Sequence, residues 1–379
     1  MTITVGFVKE RKEGELRVAL VPETAEKILN LGWQVLFEPD AGEQAGFPNN
    51  VYPEMCQMAK TRNDVLNAAD VLVGVDALSK DDMGQLKHGA VVIGMVSPYQ
   101  QQERFTLAAE KDITVFSMEL IPRTTRAQAM DVLSSQASVA GYKAVLLAAS
   151  EAPRFFPMLT TAAGTIRPAS VLIIGAGVAG LQAMATARRL GANVTGYDVR
   201  PETVEQVKSL GAKFLDLGVE AVGEGGYARA LTEEEKLTQQ QNLAKHLTSV
   251  DVLITTAAVP GRPAPRIITA QMINDMKPGS VIVDLGAEGG GNCEPTEAGQ
   301  TKLVNNVKVI GPKNLSATVP LHASEMYSRN VWNLLSLMNN EGEFNLNWED
   351  DILAGCAVTK EGQVVHPAVT GQKDTGEQS

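Results

Sequence analysis

Short apolar runs alternate with amphipathic stretches through the first third of the chain. Residues 22–31 have the periodicity of a helix that ends near Gly32. The apolar runs are predicted to be strands, and they cover residues 3–8, 34–38, 71–75, 90–95 and 115–117. Strands that alternate with helices in this way predict a parallel sheet with helices on both faces.

The same alternation continues in the second half of the chain, after a longer helical pattern. That pattern covers residues 126–150 and is predicted to link two domains. An apolar helix at residues 325–337 is expected to pack back on the first domain. Further strands are predicted at residues 171–174, 192–198, 213–216, 252–256, 280–285 and 307–311. The predicted fold class is α/β, with two Rossmann-like, doubly wound parallel-sheet domains joined by long helices. The N-terminal domain is discontinuous, residues 1–133 plus 317–379, and the second domain, residues 134–316, is inserted in it.

A glycine-rich turn opens the second domain. Gly175, Gly177 and Gly180 follow an apolar run, and Asp198 ends the next one. Gly175 permits a sharp turn, Gly177 lets the backbone approach a pyrophosphate, and Gly180 lets the next helix pack close to the sheet. The helix that starts at Val178 offers free N–H groups to the phosphates. This context predicts a dinucleotide site, with a glycine turn in a domain that binds no nucleotide as the alternative.

Asp198 also indicates which dinucleotide binds. A carboxylate at the end of the second strand can accept hydrogen bonds from a ribose 2′-OH, and it repels a 2′-phosphate. NAD(H) is therefore favoured over NADP(H). Arg200 weakens this preference, because its guanidinium could pair with a phosphate.

Composition narrows the function classes. The net charge of −11 argues against nucleic acid as a partner. The three cysteines are sparse, which suits a reducing compartment, and neither they nor the four histidines show a metal-binding spacing, so no metal is expected. The chain opens directly with a strand rather than a signal peptide, and no run approaches the ~20 apolar residues of a membrane helix. We expect a soluble protein without direct membrane insertion, which could still dock on a membrane protein.

One segment of the second domain is rich in glycine. Residues 223–235 include Tyr227, and Thr232 with Glu235 forms a capping box that predicts a helix start. The segment is interpreted as a mobile loop that carries Tyr227 over a ligand, and a plain surface connection is the alternative. The polar tail, residues 370–379, is expected to be disordered.

Four stretches of the sequence resemble one family. Residues 9–22, 255–261 and 276–284 are similar to the alanine dehydrogenase and nicotinamide nucleotide transhydrogenase superfamily. Residues 122–136 resemble, within it, the NAD(H)-binding domain I of the proton-translocating NAD(P) transhydrogenases, in the form of a separate alpha-1 type subunit. The resemblance extends from residue 2 to about residue 365.

The resemblance implies roles for individual residues. Residues 123–134, which we call the polar loop, match the loop around the nicotinamide, with Gln128 contacting the cofactor ribose and reaching toward a partner domain. Arg123, Asp131 and Ser134 are implied to hold the carboxamide end. A helix start with ordinary polar capping is the alternative interpretation of these side chains. Tyr227 matches a mobile-loop tyrosine that closes over bound nucleotide. Further implied cofactor contacts are Thr124, Thr125, Arg126, Asp198, Val199, Arg200, Gly226 and Ala258.

The family also implies a reaction and partners. NAD(H) bound here exchanges a hydride directly with NADP(H), which is bound only on a partner domain III, while a membrane domain II moves protons. The implied subunit is a homodimer that binds peripherally, through its partners, at the cytoplasmic face of a bacterial inner membrane. Hydride transfer between two nicotinamides needs no acid or base, only alignment of the rings with their C4 atoms at about 3–3.5 Å and exclusion of water. The backbone at residues 289–291 also suits this task.

Departures from the dehydrogenase pattern weigh against an alternative activity. Alanine dehydrogenases place a lysine and a histidine where this sequence has residues 75–76 (Val-Asp) and 97–98 (Ser-Pro). Amino-acid dehydrogenation needs a group that shuttles a proton, so its absence disfavours an alanine or related amino-acid dehydrogenase. Arg17, a substrate ligand in those enzymes, is retained, and a structural salt bridge is the favoured interpretation. Glu288 has no assigned role. A non-catalytic NAD-binding module is the second alternative.

Overall fold

The computed structural model describes residues 2–76, 78–100, 102–223, 229–258 and 261–371. The strands, in chain order, are β1 (Thr4–Phe7), β2 (Gln34–Phe37), β3 (Gln57–Met58), β4 (Val71–Val73), β5 (Val91–Gly94), β6 (Thr114–Ser117), β7 (Leu159–Thr161), β8 (Gly164–Ile166), β9 (Ser170–Ile174), β10 (Asn193–Tyr197), β11 (Lys213–Phe214), β12 (Val252–Thr255), β13 (Val281–Asp284), β14 (Gln300–Val304), β15 (Val307–Gly311), β16 (Asn339–Asn340), β17 (Glu343–Phe344), β18 (Ala357–Lys360) and β19 (Gln363–Val364).

The α-helices are α1 (Pro22–Asn30), α2 (Arg62–Ala68), α3 (Lys80–Gln85), α4 (Gln102–Glu110), α5 (Val132–Glu151), α6 (Val178–Arg189), α7 (Thr203–Ser209), α8 (Glu233–Leu247), α9 (Ala270–Asn274), α10 (Pro320–Ser336), α11 (Asp351–Cys356) and α12 (Pro367–Thr370). The chain divides into two compact units, residues 1–136 with 317–379 and residues 137–316. The first boundary lies three residues after the one expected from the sequence.

Each unit contains a sheet with the Rossmann strand order. In the first unit β3-β2-β1-β4-β5-β6 is parallel, and the antiparallel strands β18 and β19 extend it beyond β6. In the second unit β11-β10-β9-β12-β13-β15 is parallel, and β14 is antiparallel at the edge. Both orders reverse direction next to the first strand, at β1/β4 and at β9/β12, which is where α/β proteins bind ligands. The predicted α/β class is confirmed, but the expectation of purely parallel sheets is wrong at these edges.

Alternate strand residues supply two separate cores in each unit. Val71 and Val73 enter one cluster and Leu72 the other, because successive side chains of a strand point to opposite faces. Ile173 and Leu172 divide in the same way in the second unit. Each sheet is therefore covered on both faces, as a doubly wound fold requires.

The predicted helix at residues 126–150 is wrong at its start. A 3₁₀ helix, Thr125–Met130, comes first, and Asp131 then adopts φ −71° and ψ 93°, outside the helical region. The Asp131 carboxylate accepts hydrogen bonds from the Ser134 N–H (3.0 Å) and Oγ (2.6 Å), so it caps the following α5. Asp131 and Ser134 therefore meet as a cap rather than as two residues on one helix face.

Other predicted bounds shift by a few residues. Helix α10 begins at Pro320 rather than at residue 325, because proline suits the first helical turn. It packs in the core of the first unit, as expected, through residues such as Tyr327 and Val331. The capping box of Thr232 and Glu235 at the start of α8 is confirmed. Gly226 and Tyr227, and residues 372–379 of the tail, lie outside the described residues.

Candidate functional site

The glycine turn after β9 has the geometry that pyrophosphate binding needs. Gly175 has φ +97°, which a residue with a side chain rarely adopts. A Cβ on Gly180 would overlap the Gly175 carbonyl oxygen, whereas one on Gly177 would meet no described atom within 4 Å. Helix α6 starts at Val178 with Gly177 as its N-cap, so no side chain caps its first N–H groups. The turn thus offers an open backbone surface and a helix N-terminus to an anion.

Asp198 is bound to this turn and to Arg200. Its carboxylate accepts hydrogen bonds from the Ala176 N–H at 2.7 Å and the Arg200 N–H at 2.9 Å. It also accepts the Arg200 Nε at 2.9 Å and Nη2 at 2.7 Å. Burial alone would raise the pKa of Asp198, but the hydrogen bonds from Arg200 and Ala176 outweigh it and hold the pKa below its usual value. The side chain is therefore a carboxylate that neutralises Arg200.

A cleft of about 310 Å³ lies beside Asp198 at the ends of β10 and β11. Val199, Val204 and Leu217 give it apolar walls, and Asp216 and Glu220 add further carboxylates. Apolar walls suit the faces of an adenine ring, and the carboxylates disfavour an additional phosphate.

The loops after β12 and β13 are held by two side chains that the sequence analysis did not single out. The fully buried Asp284 accepts hydrogen bonds from Thr255 Oγ1, Gly286 N, Cys293 N and Thr296 Oγ1, at 2.7–2.9 Å. Asn292 Nδ2 donates to the carbonyls of Ala257 (2.8 Å) and Pro265 (2.9 Å), and so joins the loop that contains Ala258 to the glycine loop. An aspartate at the end of a buried strand, just before a glycine-rich turn, is the signal that could have identified Asp284.

The polar loop of the first unit is exposed but firmly anchored. Ala127 and Met130 are buried in the core, whereas the side chains between and before them face solvent, namely Arg123, Thr124, Thr125, Arg126 and Gln128. Arg126 pairs with Asp350, at 2.6–2.7 Å, and with Asp351. The carbonyl of Ala129 accepts hydrogen bonds from Asn330 and Asn333 on α10, at 2.8 and 3.0 Å. Arg126, expected at the cofactor, is thus engaged by two carboxylates, and capping by Asp131 is present as the alternative interpretation required.

The positions that distinguish alanine dehydrogenases lie at the ends of β4 and β5. The N–H groups of Val75 and Asp76 donate to the buried Glu10, at 2.6 and 3.3 Å, and that of Ser97 donates to Glu119, at 2.9 Å. Burial raises the pKa of Glu10 to about 8 and also raises the pKa of Glu119. These strand ends are therefore occupied by carboxyl groups of the chain.

Arg17 forms the salt bridge favoured by the sequence analysis. Its Nε and Nη2 donate to the Glu15 carboxylate at 2.7 and 2.6 Å, and its Nη1 donates to Gln136 Oε1 at 2.7 Å. Glu15 and Arg17 are 4% and 5% exposed. A buried ion pair of this kind keeps its place only because both charges are fully hydrogen bonded.

The predicted residues form two groups, one in each unit. The glycine turn brings together Gly175, Gly177, Val178, Gly180, Asp198, Val199 and Arg200 at the carboxyl ends of β9 and β10, with Ala258 after the neighbouring strand β12. The polar loop brings together Arg123, Thr124, Thr125, Arg126, Gln128, Asp131 and Ser134. A search of the described ranges finds no cluster of three or more His, Cys, Asp or Glu side chains suited to a metal.

A Rossmann-ordered sheet with an open glycine turn and an acidic residue at the end of its second strand defines a dinucleotide-binding protein of the oxidoreductase type. Family models agree: the N-terminal domain of alanine dehydrogenase/PNT matches residues 6–140, and the C-terminal domain matches residues 144–367. The chain belongs to the alanine dehydrogenase/PNT family.

Relatives within this family include transhydrogenase subunits. The first part of NAD(P) transhydrogenase subunit alpha of Rhodospirillum rubrum, a separate chain there, is 41% identical over 97% of this chain and 99% of that protein. NAD(P) transhydrogenase subunit alpha of Haemophilus influenzae is 42% identical over 96% of this chain and 72% of that protein. The crystal structure of transhydrogenase from Sinorhizobium meliloti superimposes with a TM-score of 0.84 at 41% identity, over 96% of this chain and 99% of that one.

Alanine dehydrogenases are more distant. Alanine dehydrogenase 1 of Staphylococcus aureus is 27% identical over 76% of this chain and 74% of that protein. An L-alanine dehydrogenase structure shares the fold, with a TM-score of 0.81 at 22% identity. The portion of the chain that the structure describes holds no helix with both the length and the apolar character of a membrane span.

Proposed function

We propose that this chain is the NAD(H)-binding component of a proton-translocating NAD(P) transhydrogenase. It passes a hydride directly between NAD(H) bound here and NADP(H) on a partner domain III, and a membrane domain II of the same assembly couples this transfer to proton movement. The chain acts as an enzyme only with these partner subunits. It sits at the cytoplasmic face of a bacterial inner membrane, peripherally and through its partners.

The residues at the glycine turn fit a dinucleotide. The open space above Gly177 and the uncapped N–H groups at the start of α6 suit a pyrophosphate, and the cleft beside Asp198 suits adenosine. The bound nicotinamide supplies the hydride chemistry. Gly226 and Tyr227 remain proposed to close over the nucleotide.

The polar loop has the task of orienting the nicotinamide end. Gln128 is exposed on a 3₁₀ helix whose backbone is fixed from three sides, by the buried core, by α10 and by the Arg126 ion pairs. Arg123, Asp131 and Ser134 hold the carboxamide end, and the exposed face of the loop is offered to domain III. A fixed loop of this kind lowers the cost of aligning two rings at the moment of transfer.

The observation that carries the proposal most strongly concerns residues 75–76 and 97–98. They are Val-Asp and Ser-Pro, so the chain lacks a lysine and histidine that could shuttle a proton there. Hydride transfer between two nicotinamides needs neither group, whereas amino-acid dehydrogenation needs at least one. The high identity with proteins named as transhydrogenase alpha subunits supports the same choice.

Stopped-flow mixing tests the proposal. The chain loaded with NADH is mixed with an NADP(H)-binding transhydrogenase subunit loaded with an NADP⁺ analogue whose reduced form absorbs separately. Rapid transfer supports the proposal. Reduction of NAD⁺ by L-alanine with the chain alone would establish a dehydrogenase instead. NADH binding without exchange with any transhydrogenase partner would indicate a non-catalytic module.

We also propose that the chain is a homodimer. Both strands of the β7–β8 hairpin are exposed, and they carry the cross-strand pair Leu159 and Ile166, 38% and 46% exposed, next to Met158 at 65%. An isolated two-stranded hairpin is marginal in water, and an exposed apolar patch on it indicates an interface. A second copy of the chain presents the same patch and can cover it by two-fold symmetry.

A further inference from the structure

A continuous series of buried hydrogen bonds links the Arg17 ion pair to the polar loop. Arg17 Nη1 donates to Gln136 Oε1, and Gln136 Nε2 donates to Ser135 Oγ at 3.3 Å. Ser135 Oγ donates to Asn330 Oδ1 at 2.7 Å, and Asn330 Nδ2 donates to the Ala129 carbonyl at 2.8 Å. All these residues belong to the first unit. The series ends at the carbonyl next to Gln128.

The amide of Asn330 is fully used and has only one orientation that satisfies its neighbours. Its oxygen faces a hydroxyl donor and its nitrogen faces a carbonyl acceptor, so rotation by 180° would place two acceptors together. The residue is 8% exposed, so a lost partner would not be replaced by bulk water. Asn330 therefore fixes the distance between the loop and the first turn of α5.

We propose that Asn330 is a positioning residue for the polar loop, which it holds through the Ala129 carbonyl and ties to the buried Arg17 by way of Ser135 and Gln136. Arg17 then serves as the anchor of this network. The functional part of the inference rests on the proposed hydride transfer, whereas the mechanical part concerns only the loop. A loop displaced by about 1 Å would misalign the nicotinamide and slow transfer far more than it weakens binding.

Substitutions on α10 and α5 separate the network from simple stability. Asn330→Ala removes both hydrogen bonds, Asn330→Asp removes only the donor to Ala129, and Ser135→Ala removes only the link toward Arg17. The matched control is Ser328→Ala: Ser328 is also buried on α10, but its hydroxyl accepts the Val21 N–H at 3.1 Å and does not contact the loop.

Three measurements are made on each variant: amide hydrogen exchange of residues 125–131, NADH affinity, and hydride transfer with the NADP(H)-binding partner subunit. In Asn330→Ala and Asn330→Asp we expect loop exchange to rise about tenfold, transfer to fall about 10- to 100-fold, and NADH affinity to change less than about threefold. Ser135→Ala is intermediate, and the double variant with Asn330→Ala is no worse than Asn330→Ala, because both act in one network. Ser328→Ala lowers the melting temperature without these effects.

Each failure has a distinct meaning. Unchanged loop exchange in Asn330→Ala, or slowing of transfer no greater than in Ser328→Ala, overturns the positioning role. Absence of transfer in the unsubstituted chain overturns the proposed function, and hydrogen exchange alone then decides the network. If Asn330→Ala does not fold, the exposed Asn333→Ala replaces it, since Asn333 donates to the same carbonyl at 3.0 Å; exchange identical to the parent chain would then count against the proposal.

Discussion

The guanidinium of Arg200 forms two hydrogen bonds with the carboxylate of Asp198, from Nε at 2.9 Å and from Nη2 at 2.7 Å. The cation that could have attracted a 2′-phosphate is therefore neutralised by the carboxylate that would repel one. This pairing accounts for a preference for NAD(H) despite an arginine at the ribose end of the site.

Asp198→Asn is expected to shift the preference toward NADP(H). The amide can still accept the Ala176 N–H, but it leaves Arg200 without its charged partner, so the guanidinium becomes available to a 2′-phosphate. A charged hydrogen bond contributes about 1.5–3 kcal/mol, which corresponds to a roughly 10- to 100-fold change in the ratio of NADPH to NADH affinity. Fluorescence titration with both nucleotides measures this ratio. The control, Asp198→Asn with Arg200→Ala, should lose the gain; a gain that persists would contradict the role of Arg200.

Two glycine substitutions should separate cofactor binding from folding. An added Cβ at Gly177 meets no described atom within 4 Å, so Gly177→Ala should change the unfolding free energy by no more than about 0.5 kcal/mol. It should still weaken NADH binding about tenfold or more, because the methyl group occupies the approach to the pyrophosphate. Gly180→Ala should destabilise the fold instead, since its Cβ overlaps the Gly175 carbonyl. Thermal unfolding and NADH titration of both variants check this, and unaltered NADH affinity in Gly177→Ala would place the cofactor elsewhere.

The polar loop should act on transfer more than on binding. Gln128→Asn shortens an exposed side chain, and Asp131→Asn removes a charge while an asparagine can still cap α5. We expect both variants to keep the fold and to bind NADH within about threefold of the parent, with hydride transfer slowed roughly 100-fold. Stopped-flow transfer with the partner subunit measures the rate. Parental rates in both variants would remove the loop from the mechanism.

Glu10 should make stability fall as pH rises. Burial raises its pKa from 4.5 to about 8, so between these values the unfolded chain releases a proton that the folded chain keeps. Stability is then lost progressively from about pH 4.5 to pH 8, by an amount on the order of 4 kcal/mol, and changes no further above pH 8. Denaturant unfolding of the parent chain and Glu10→Gln from pH 5 to 9 isolates this contribution. A difference between the two that stays constant with pH would contradict the buried, protonated carboxyl group.

The exposed hairpin provides a test of the dimer. Leu159→Glu with Ile166→Lys replaces an apolar cross-strand pair by an oppositely charged one, which keeps the hairpin stable but makes its face polar. Sedimentation velocity should then show a monomer where the parent chain is a dimer. The control, Thr160→Glu with Thr165→Lys, changes the adjacent cross-strand pair, whose side chains point to the other face. A dimer that survives the first double substitution would place the interface elsewhere.

Much of the fold and some of the site could be predicted from local patterns. Strand positions, the glycine turn and Asp198 were recognisable because strand periodicity, positive φ angles and a carboxylate at a strand end are short-range features. The predicted helix at residues 126–150 failed at its start for the same reason in reverse. Its apolar periodicity continues through Asp131, but the side chain of Asp131 bonds to Ser134 and stops the helical backbone there.

The alternation of apolar and polar residues was enough to specify two doubly wound α/β units and the turn that can receive a pyrophosphate. It could not specify which polar groups meet: Ser135 and Asn330 are 195 positions apart, and Arg17 and Gln136 are 119 apart. Even Arg200, only two residues from Asp198, could not be assigned to it rather than to a phosphate until the backbone after β10 was known. Such contacts depend on how the elements pack in space, and a linear pattern contains no direct record of that packing.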